Sequence, residues 1–491
     1  MRGAIGHPLS PVPFVFLTLP NGVATGYTHF SPLCKEVDNT MQSQHEHLRH
    51  TGFGKHNWLR RKAPAATISA LLCAAVCISQ APSATAAPAT VTFTLSMQNP
   101  SIKISDAVTY DIVTAFEKLH PNIKIAVSGQ PVDQHVATIE AAAETHTLPD
   151  VFWETPIQLP VLAQQGDLLN LAPIFKSLGI TSEFAPSMLA TYTLPDGFQY
   201  GMPYQPLVTG FFYNRALLKK YNVALPTTFD QLVAAAKVFS SHGLTTISQG
   251  ALNSDFSVWA FLTCLQRFGY TAVYKQILAG TMSYDNPAFT NFYDDLQQLA
   301  KAGAFPSNMS TLTYAQSLSN FIAGKAVMVD AGVWATAQLQ QSAIGNDVGF
   351  WVGPEFGNGV GDQKVLMNVP SAPLAVSAAV KNNAPVLNAI EQYIKFYYSN
   401  AGQQLFVVNG QPPVTLYKPA VNPKTQPLFA NILQQLRLPG WTAVLFQPDQ
   451  PIPASVATAI FDSMDGIFEG IYTPAKALQV VETAVKANLS A

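Results

Sequence analysis

The side chains that could carry out chemistry are few in this sequence of 491 residues. Glu154 with Asp255 or Asp330 could supply the carboxylate pair that glycoside hydrolysis requires. Beyond residue 86 the chain has one cysteine, Cys264, and four well-separated histidines, with no HExxH motif. That is little material for a histidine-based nucleophile or a metal centre, so we predict no metal and no cofactor.

The composition excludes other classes of protein. Charged residues are 11% of the chain and aromatic residues 11%, and aromatic content at that level argues against disorder. Only residues 63–78 approach the ~18 consecutive apolar residues that a membrane span needs, which excludes a multi-span protein. After residue 86 the net charge is about −6, from 20 basic and 26 acidic residues. Nucleic acid is therefore not an expected partner, because its phosphates require a basic face.

Residues 60–86 have the pattern of a secretory signal peptide. A basic cluster at 60–62 precedes the apolar segment, and small residues at 84–86 form a cleavage site. We predict cleavage after Ala86 and export to the periplasm, with an extracellular or membrane-tethered form as alternatives. Residues 1–59 are predicted to be a disordered extension or to include a misassigned start, Met41 being a plausible true one. A twin-arginine signal and a lipid anchor at Cys73 or Cys77 are further alternatives.

Behind the leader, hydrophobic periodicity alternates between strands and helices. Strands are predicted at 91–96, 123–127 and up to Trp153, with helices over 106–119 and 134–144 between them. This order predicts an α/β fold with a largely parallel sheet, in which ligands bind beyond the carboxyl ends of the strands. Further on, Thr228 and Gln231 predict a capping box that begins a helix.

Six short motifs then occur in a characteristic order. They are FEKLHPNIKI at 116–125, LPDVFW at 148–153, GDLLNL at 166–171, YGMP at 200–203 followed by FYNRALL at 212–218, PTTFDQL at 226–232, and FIAGKAVM at 321–328. In combination they resemble the extracellular solute-binding proteins of ABC importers, in the sugar-binding branch that includes maltose-binding proteins. The resemblance extends over nearly all of residues 90–490.

The resemblance implies a two-lobed periplasmic-binding-protein fold of type II, with a hinged cleft. The N-terminal lobe would comprise 87–208 and 354–412, and the C-terminal lobe 209–353 and 413–491. It also implies a monomer that is not an enzyme. Such a protein would capture a small-molecule carbohydrate and deliver it to the membrane permease subunits of an ABC importer.

Sugar recognition sets the candidate site residues. A pyranose ring has an apolar face that aromatic rings cover and a hydroxyl rim that carboxylates and amides bind. The resemblance implies that residues of both kinds line the cleft. The aromatic candidates are Trp153, Tyr204, Phe256, Trp259, Trp334 and Trp351. The polar candidates are Gln98, Asn99, Glu154, Gln205, Asp255, Asp330 and Asn368.

The same comparison favours an uncharged ligand. A phosphate would need a cationic partner, but Arg215 and Arg267 are predicted to lie on helices away from the cleft. Val369 and Pro370 also replace a glycine pair that relatives commonly carry, which predicts a reshaped pocket. A neutral sugar or oligosaccharide is therefore expected. The alternatives are a binding protein for glycerol-3-phosphate, a glycerophosphodiester or another small solute, and a secreted glycosidase.

Overall fold

The computed structural model describes residues 89–490, apart from 253–257, Pro451 and the side chain of Asp133. The predicted extension at 1–59 and signal peptide at 60–86 lie outside this part, as do the site candidates Asp255 and Phe256. Among the described residues, no helix combines the length and the hydropathy of a membrane span.

Strands and helices alternate along the described chain, which confirms the predicted α/β class. The strands are β1 Val91–Met97, β2 Ile123–Gly129, β3 Val151–Trp153, β4 Gly201–Met202, β5 Pro206–Leu207, β6 Thr209–Asn214, β7 Thr245–Ser248, β8 Ala326–Gly332, β9 Val348–Trp351, β10 Val365–Leu366, β11 Val369–Pro370, β12 Leu374–Val376 and β13 Thr442–Ala443. The helices are α1 Ile102–Ser105, α2 Ala107–Leu119, α3 Val132–Glu144, α4 Leu159–Gln165, α5 Ala172–Ser177, α6 Pro186–Ala190, α7 Arg215–Lys220, α8 Phe229–Ser241, α9 Trp259–Gln266, α10 Tyr270–Leu278, α11 Pro287–Lys301, α12 Tyr314–Ile322, α13 Thr336–Gln341, α14 Ala384–Tyr397, α15 Asn400–Val408, α16 Pro427–Gln435, α17 Ala454–Phe468 and α18 Pro474–Leu489.

The first sheet has the strand order β2-β1-β3-β12-β4. β1 pairs in parallel with β2 and β3, and β12 runs antiparallel to β3 and β4. The helices α2 and α14 bury their apolar faces against this sheet, where Phe116 and Tyr393 meet edge to face with ring centroids 5.4 Å apart. Parallel pairing brings the carboxyl ends of β1, β2 and β3 to one edge, as the βαβ pattern predicts.

The second sheet has the strand order β7-β8-β6-β9. Every residue of β8 is buried, because helices cover the sheet. Its main core contains Phe211 of β6 and Phe261 of α9 with Ile460 of α17, while α17 packs against α11 and α18. The predicted capping box is confirmed at the start of α8, where Thr228 and Gln231 bond reciprocally.

A short antiparallel ribbon lies where the chain passes between the sheets. In it Leu207 of β5 pairs with Val369 of β11, and Pro206 with Pro370. In sequence β5 lies between β4 of the first sheet and β6 of the second, and β11 precedes β12 of the first sheet. We call this pair the connecting ribbon.

Candidate ligand-binding site

Trp153 and Glu154 lie together at the carboxyl end of β3. The indole of Trp153 is buried in the first core and its backbone carbonyl accepts a hydrogen bond from His135 Nε2 at 2.8 Å. A carbonyl can only accept, so Nε2 carries the ring proton. Burial lowers the pKa of His135, which keeps the ring neutral near pH 7. The histidine on α3 thus fixes the backbone from which Glu154 projects.

Glu154 is a buried carboxyl with few partners. Its side chain is 1% exposed, and Oε1 accepts bonds from Thr155 N at 2.6 Å and Thr155 Oγ1 at 3.2 Å. Burial raises the pKa of Glu154 to about 7, with a smaller contribution from the negative charge of Glu140. Near neutral pH this carboxyl therefore exists in both protonation states and could donate as well as accept.

Tyr204 is committed to a structural bond. Its hydroxyl donates to Asp106 Oδ2, and its carbonyl accepts from Tyr397 Oη at 2.5 Å. Asp106 also accepts from Thr109 N at 3.1 Å, which caps the start of α2. The buried tyrosine therefore ties α2 to the segment that leads into the connecting ribbon, and its hydroxyl is already engaged.

The other polar candidates of the first sheet lie near its strand ends. Gln98 directly follows β1, and its buried Oε1 accepts no hydrogen bond from the described residues. Asn99 is part-exposed and lines a groove beside β2. The backbone carbonyl of Gln205 accepts from Ser371 N at 3.1 Å, which extends the connecting ribbon.

Three aromatic rings pack together beside the second sheet. Trp259 meets Trp334 at a centroid distance of 4.5 Å and Tyr314 at 5.6 Å, both edge to face. Trp334 Nε1 donates to Tyr314 Oη at 2.9 Å. Trp334 remains part-exposed and also packs against an apolar cluster that includes Leu207 and Val369 of the connecting ribbon. We call Trp259, Tyr314 and Trp334 the aromatic cluster.

Asp330 supports this cluster from behind. Its two carboxylate oxygens accept from Ala260 N at 3.0 and 2.9 Å, at the first turn of α9. The side chain is 2% exposed and burial raises its pKa well above the usual value. The acid therefore holds the helix that begins with Trp259.

Two further candidates, Trp351 and Asn368, differ in exposure. Trp351 is buried in β9, with its ring centroid 5.5 Å from that of Phe211 in the second core. Asn368 is exposed between β10 and β11. The structure thus divides the candidates between the first sheet, with Gln98, Trp153, Glu154 and Tyr204, and the second sheet, with Trp259, Asp330, Trp334 and Trp351.

Sequence reasoning missed three residues of these surroundings. His135 and Tyr314 form contacts that depend on folding, and no local pattern indicates them. Gln249 directly follows β7, is 1% exposed, and has neither amide atom bonded to a described residue. Its position directly after a strand could have identified it as a candidate, because Gln98 was chosen for the same position after β1.

Arg215 begins α7 and Arg267 directly follows α9, and both are engaged with backbone carbonyls. The fully buried guanidinium of Arg267 donates to the carbonyls of Pro354 at 2.5 Å and of Val352 and Val365 at 2.9 Å each. Arg215 donates to the carbonyl of Val348 at 2.5 Å. Within the described part of the chain, no group of three or more His, Cys, Asp or Glu residues is arranged to hold a metal ion.

The model of the family described as bacterial extracellular solute-binding protein matches residues 99–404. An uncharacterized ABC transporter extracellular-binding protein of Pyrococcus horikoshii is 24% identical over 49% of this chain and 56% of its own. The sn-glycerol-3-phosphate-binding periplasmic protein of Rhizobium meliloti is 22% identical over 38% of this chain and 45% of its own. The chain thus spans about half the length of the curated relatives it matches.

Solved structures share the fold over a larger span. A chitin oligosaccharide binding protein superimposes with a TM-score of 0.71 at 23% identity, covering 82% of this chain and all of its own. A protein from work on xylan utilization by Caldanaerobius polysaccharolyticus gives a TM-score of 0.69 at 24% identity, covering 80% and 99%. These likenesses confirm the predicted two-lobed, maltose-binding-like fold.

Proposed function

Because the chain belongs to the bacterial extracellular solute-binding protein family, we propose that it captures a neutral sugar or oligosaccharide and delivers it to the permease of an ABC importer. Members of this family bind the substrate for transport and do not catalyse a reaction. The predicted signal peptide supports capture outside the cytoplasm, in the periplasm.

The observation that carries the proposal is the aromatic cluster. Trp259 meets the indole of Trp334 edge to face, and the Tyr314 hydroxyl accepts a hydrogen bond from the indole N–H. A part-exposed apolar surface is therefore fixed in place before any ligand arrives. A preorganised ring suits the apolar face of a pyranose, because little side-chain entropy is lost on binding. The polar side chains at the first sheet, Gln98 and Glu154, would bind the hydroxyl rim.

The connecting ribbon is the proposed hinge between the two halves. The chain would pass to the second half at β5 and return at β11. The proposed return lies after the 353/354 boundary expected from sequence, because residues before β11 contact the second half. Glu355 N donates to the carbonyl of Thr227 at 3.0 Å, and Gly361 N to that of Arg267 at 2.8 Å. We propose a ligand cleft beside this ribbon, with Trp351 and Asp330 as supports outside it.

An uncharged ligand is the substrate class that these side chains favour. The described part of the chain has three arginines. Arg215 donates to a backbone carbonyl and to Asn431 Oδ1, Arg267 donates to three backbone carbonyls, and Arg437 is exposed. A phosphate enclosed in the cleft would lack the bidentate partner that such groups usually have. Several proteins with similar structures are named for carbohydrates, including the chitin oligosaccharide binding protein, and this supports a carbohydrate ligand.

A thermal-shift screen tests the proposal directly. We expect one or more neutral sugars to raise the melting temperature, since a ligand at a hundred times its Kd adds about 2.7 kcal/mol of stability. Trp334→Ala should lower the affinity for that sugar by about tenfold or more. Trp441→Ala is the matched control and should retain affinity. Stabilisation by glycerol-3-phosphate alone would reject the sugar assignment. Full sugar affinity in Trp334→Ala would remove the aromatic cluster from the site.

A further inference from the structure

A groove of about 570 Å³ runs beside β2, at the outer edge of the first sheet. Tyr110 and Val113 of α2 line one wall, and Val127 and Gly129 of β2 line the other. β2 is an end strand of the sheet, paired only with β1. An end strand has one row of backbone groups without a neighbouring strand, which can pair with an additional extended segment.

The hydrogen bonds of β2 show which backbone groups face the groove. Gln130 N donates to the carbonyl of Met97 at the end of β1, so the even-numbered amides are directed towards β1. Ile125 N points the other way and donates to Glu117 Oε1 of α2 at 2.8 Å. Since successive peptide groups of a strand alternate in direction, the amide of Val127 points the same way as that of Ile125, into the groove.

The charges around the groove are mostly positive. Lys103, Lys118 and Lys124 all line it, and Glu117 is the one acid among its lining residues. Glu117 is already bound, because its carboxylate accepts from Ile125 N and pairs with Lys124 at 3.3 Å. Lys103 and Lys118 are exposed, and Lys103 Nζ lies 5.7 Å from the centre of the Tyr110 ring. This local concentration of positive charge is unusual for the chain, because the part after the predicted leader has a net negative charge.

Two exposed apolar side chains adjoin these lysines. Ile104, next to Lys103, is 76% exposed, and Leu119, next to Lys118, is 63% exposed. Apolar residues beside a charged rim are typical of surfaces that contact another protein.

We propose that the groove docks an extended acidic segment of a partner protein, which pairs as a strand with the end of β2 beyond Ile125. The backbone of the segment would accept from the Val127 amide. Carboxylates on its alternate side chains would pair with Lys103 and Lys118 on the rim. A backbone amide directed into a strand-shaped groove suits an extended peptide better than a lipid surface.

The test uses the full chain and a fluorescent seven-residue peptide of alternating glutamate and threonine, matching β2 in length. Anisotropy should show saturable binding that weakens as salt is added. The double variant Lys103→Glu with Lys118→Glu should bind at least tenfold more weakly. The matched control, Lys176→Glu with Lys381→Glu, changes two exposed lysines that do not line the groove and should bind as the parent does.

A second variant tests the strand pairing. Val127→Pro removes the outward amide, and an end strand tolerates proline where that amide faces away from the sheet. We expect weaker peptide binding with an unchanged urea midpoint; if this variant fails to fold, the lysine pair alone decides. Equal peptide affinity in the groove lysine variant and its control would overturn the proposal. So would a Val127-dependent dimer of the chain, or binding to anionic phosphatidylglycerol vesicles in place of the peptide. A saturating sugar should leave peptide binding unchanged, so failure here is separable from failure of the sugar proposal.

Discussion

Replacing Glu154 with glutamine should stabilise the protein at neutral and alkaline pH. The side chain is 1% exposed and burial raises its pKa from 4.5 to about 7. The folded state therefore binds a proton that the unfolded state releases between these values. The favourable contribution of the protonated acid is fully present below pH 4.5 and is lost as the pH rises through 7.

The size of the effect follows from the same shift. A pKa difference of this size corresponds to about 3 kcal/mol of unfolding free energy at 1.36 kcal/mol per pKa unit. Glutamine cannot ionise, yet its Oε1 can still accept from Thr155 N. The free energy of unfolding of Glu154→Gln, relative to that of the parent, should therefore rise by about 3 kcal/mol between pH 4.5 and 8.

Urea unfolding at closely spaced pH values measures this difference. Other acids titrate in the same range, and comparing two proteins that differ at one residue cancels their contribution. Glu144→Gln, a change at an exposed acid on α3, is the control and should keep the parent's pH dependence. Parallel pH curves for the parent and Glu154→Gln, or a less stable variant at pH 8, would refute the reasoning.

Three further changes test other contacts. Arg267→Lys should lower the free energy of unfolding in urea by about 3 kcal/mol, because an ammonium group cannot reach three carbonyls. The control Arg437→Lys changes an exposed arginine and should alter that free energy by no more than about 0.5 kcal/mol. Equal losses in both variants would contradict this account of the buried site. Gly332→Ala should lower sugar affinity in the thermal-shift assay, since the added Cβ would lie 2.0 Å from the Trp334 ring and displace the indole. Unchanged affinity would show that the indole does not contact the ligand. Thr228→Ala should reduce stability by about 1 kcal/mol through loss of the capping box, and an unaltered urea midpoint would disprove that contribution.

Local pattern was enough to predict the first elements of the chain. The strand expected at 91–96 is Val91–Met97, and the helices expected at 106–119 and 134–144 are Ala107–Leu119 and Val132–Glu144. These segments have clear hydrophobic periodicity and recognisable ends, which depend on neighbours a few residues apart. The order of motifs predicted the family for the same reason, since order and spacing are properties of the sequence itself.

What the sequence determined by itself was therefore the elements, the family and the types of residue suited to a sugar. Tertiary structure decided which of those residues are already engaged. Tyr204 bonds Asp106 across 98 positions, and Asp330 bonds the amide of Ala260 across 70. Trp351 is buried in a core while Trp334 stays part-exposed, although both are tryptophans at strand ends. Burial and hydrogen bonding depend on partners distant in the chain, so only folding distinguishes a supporting residue from an available one.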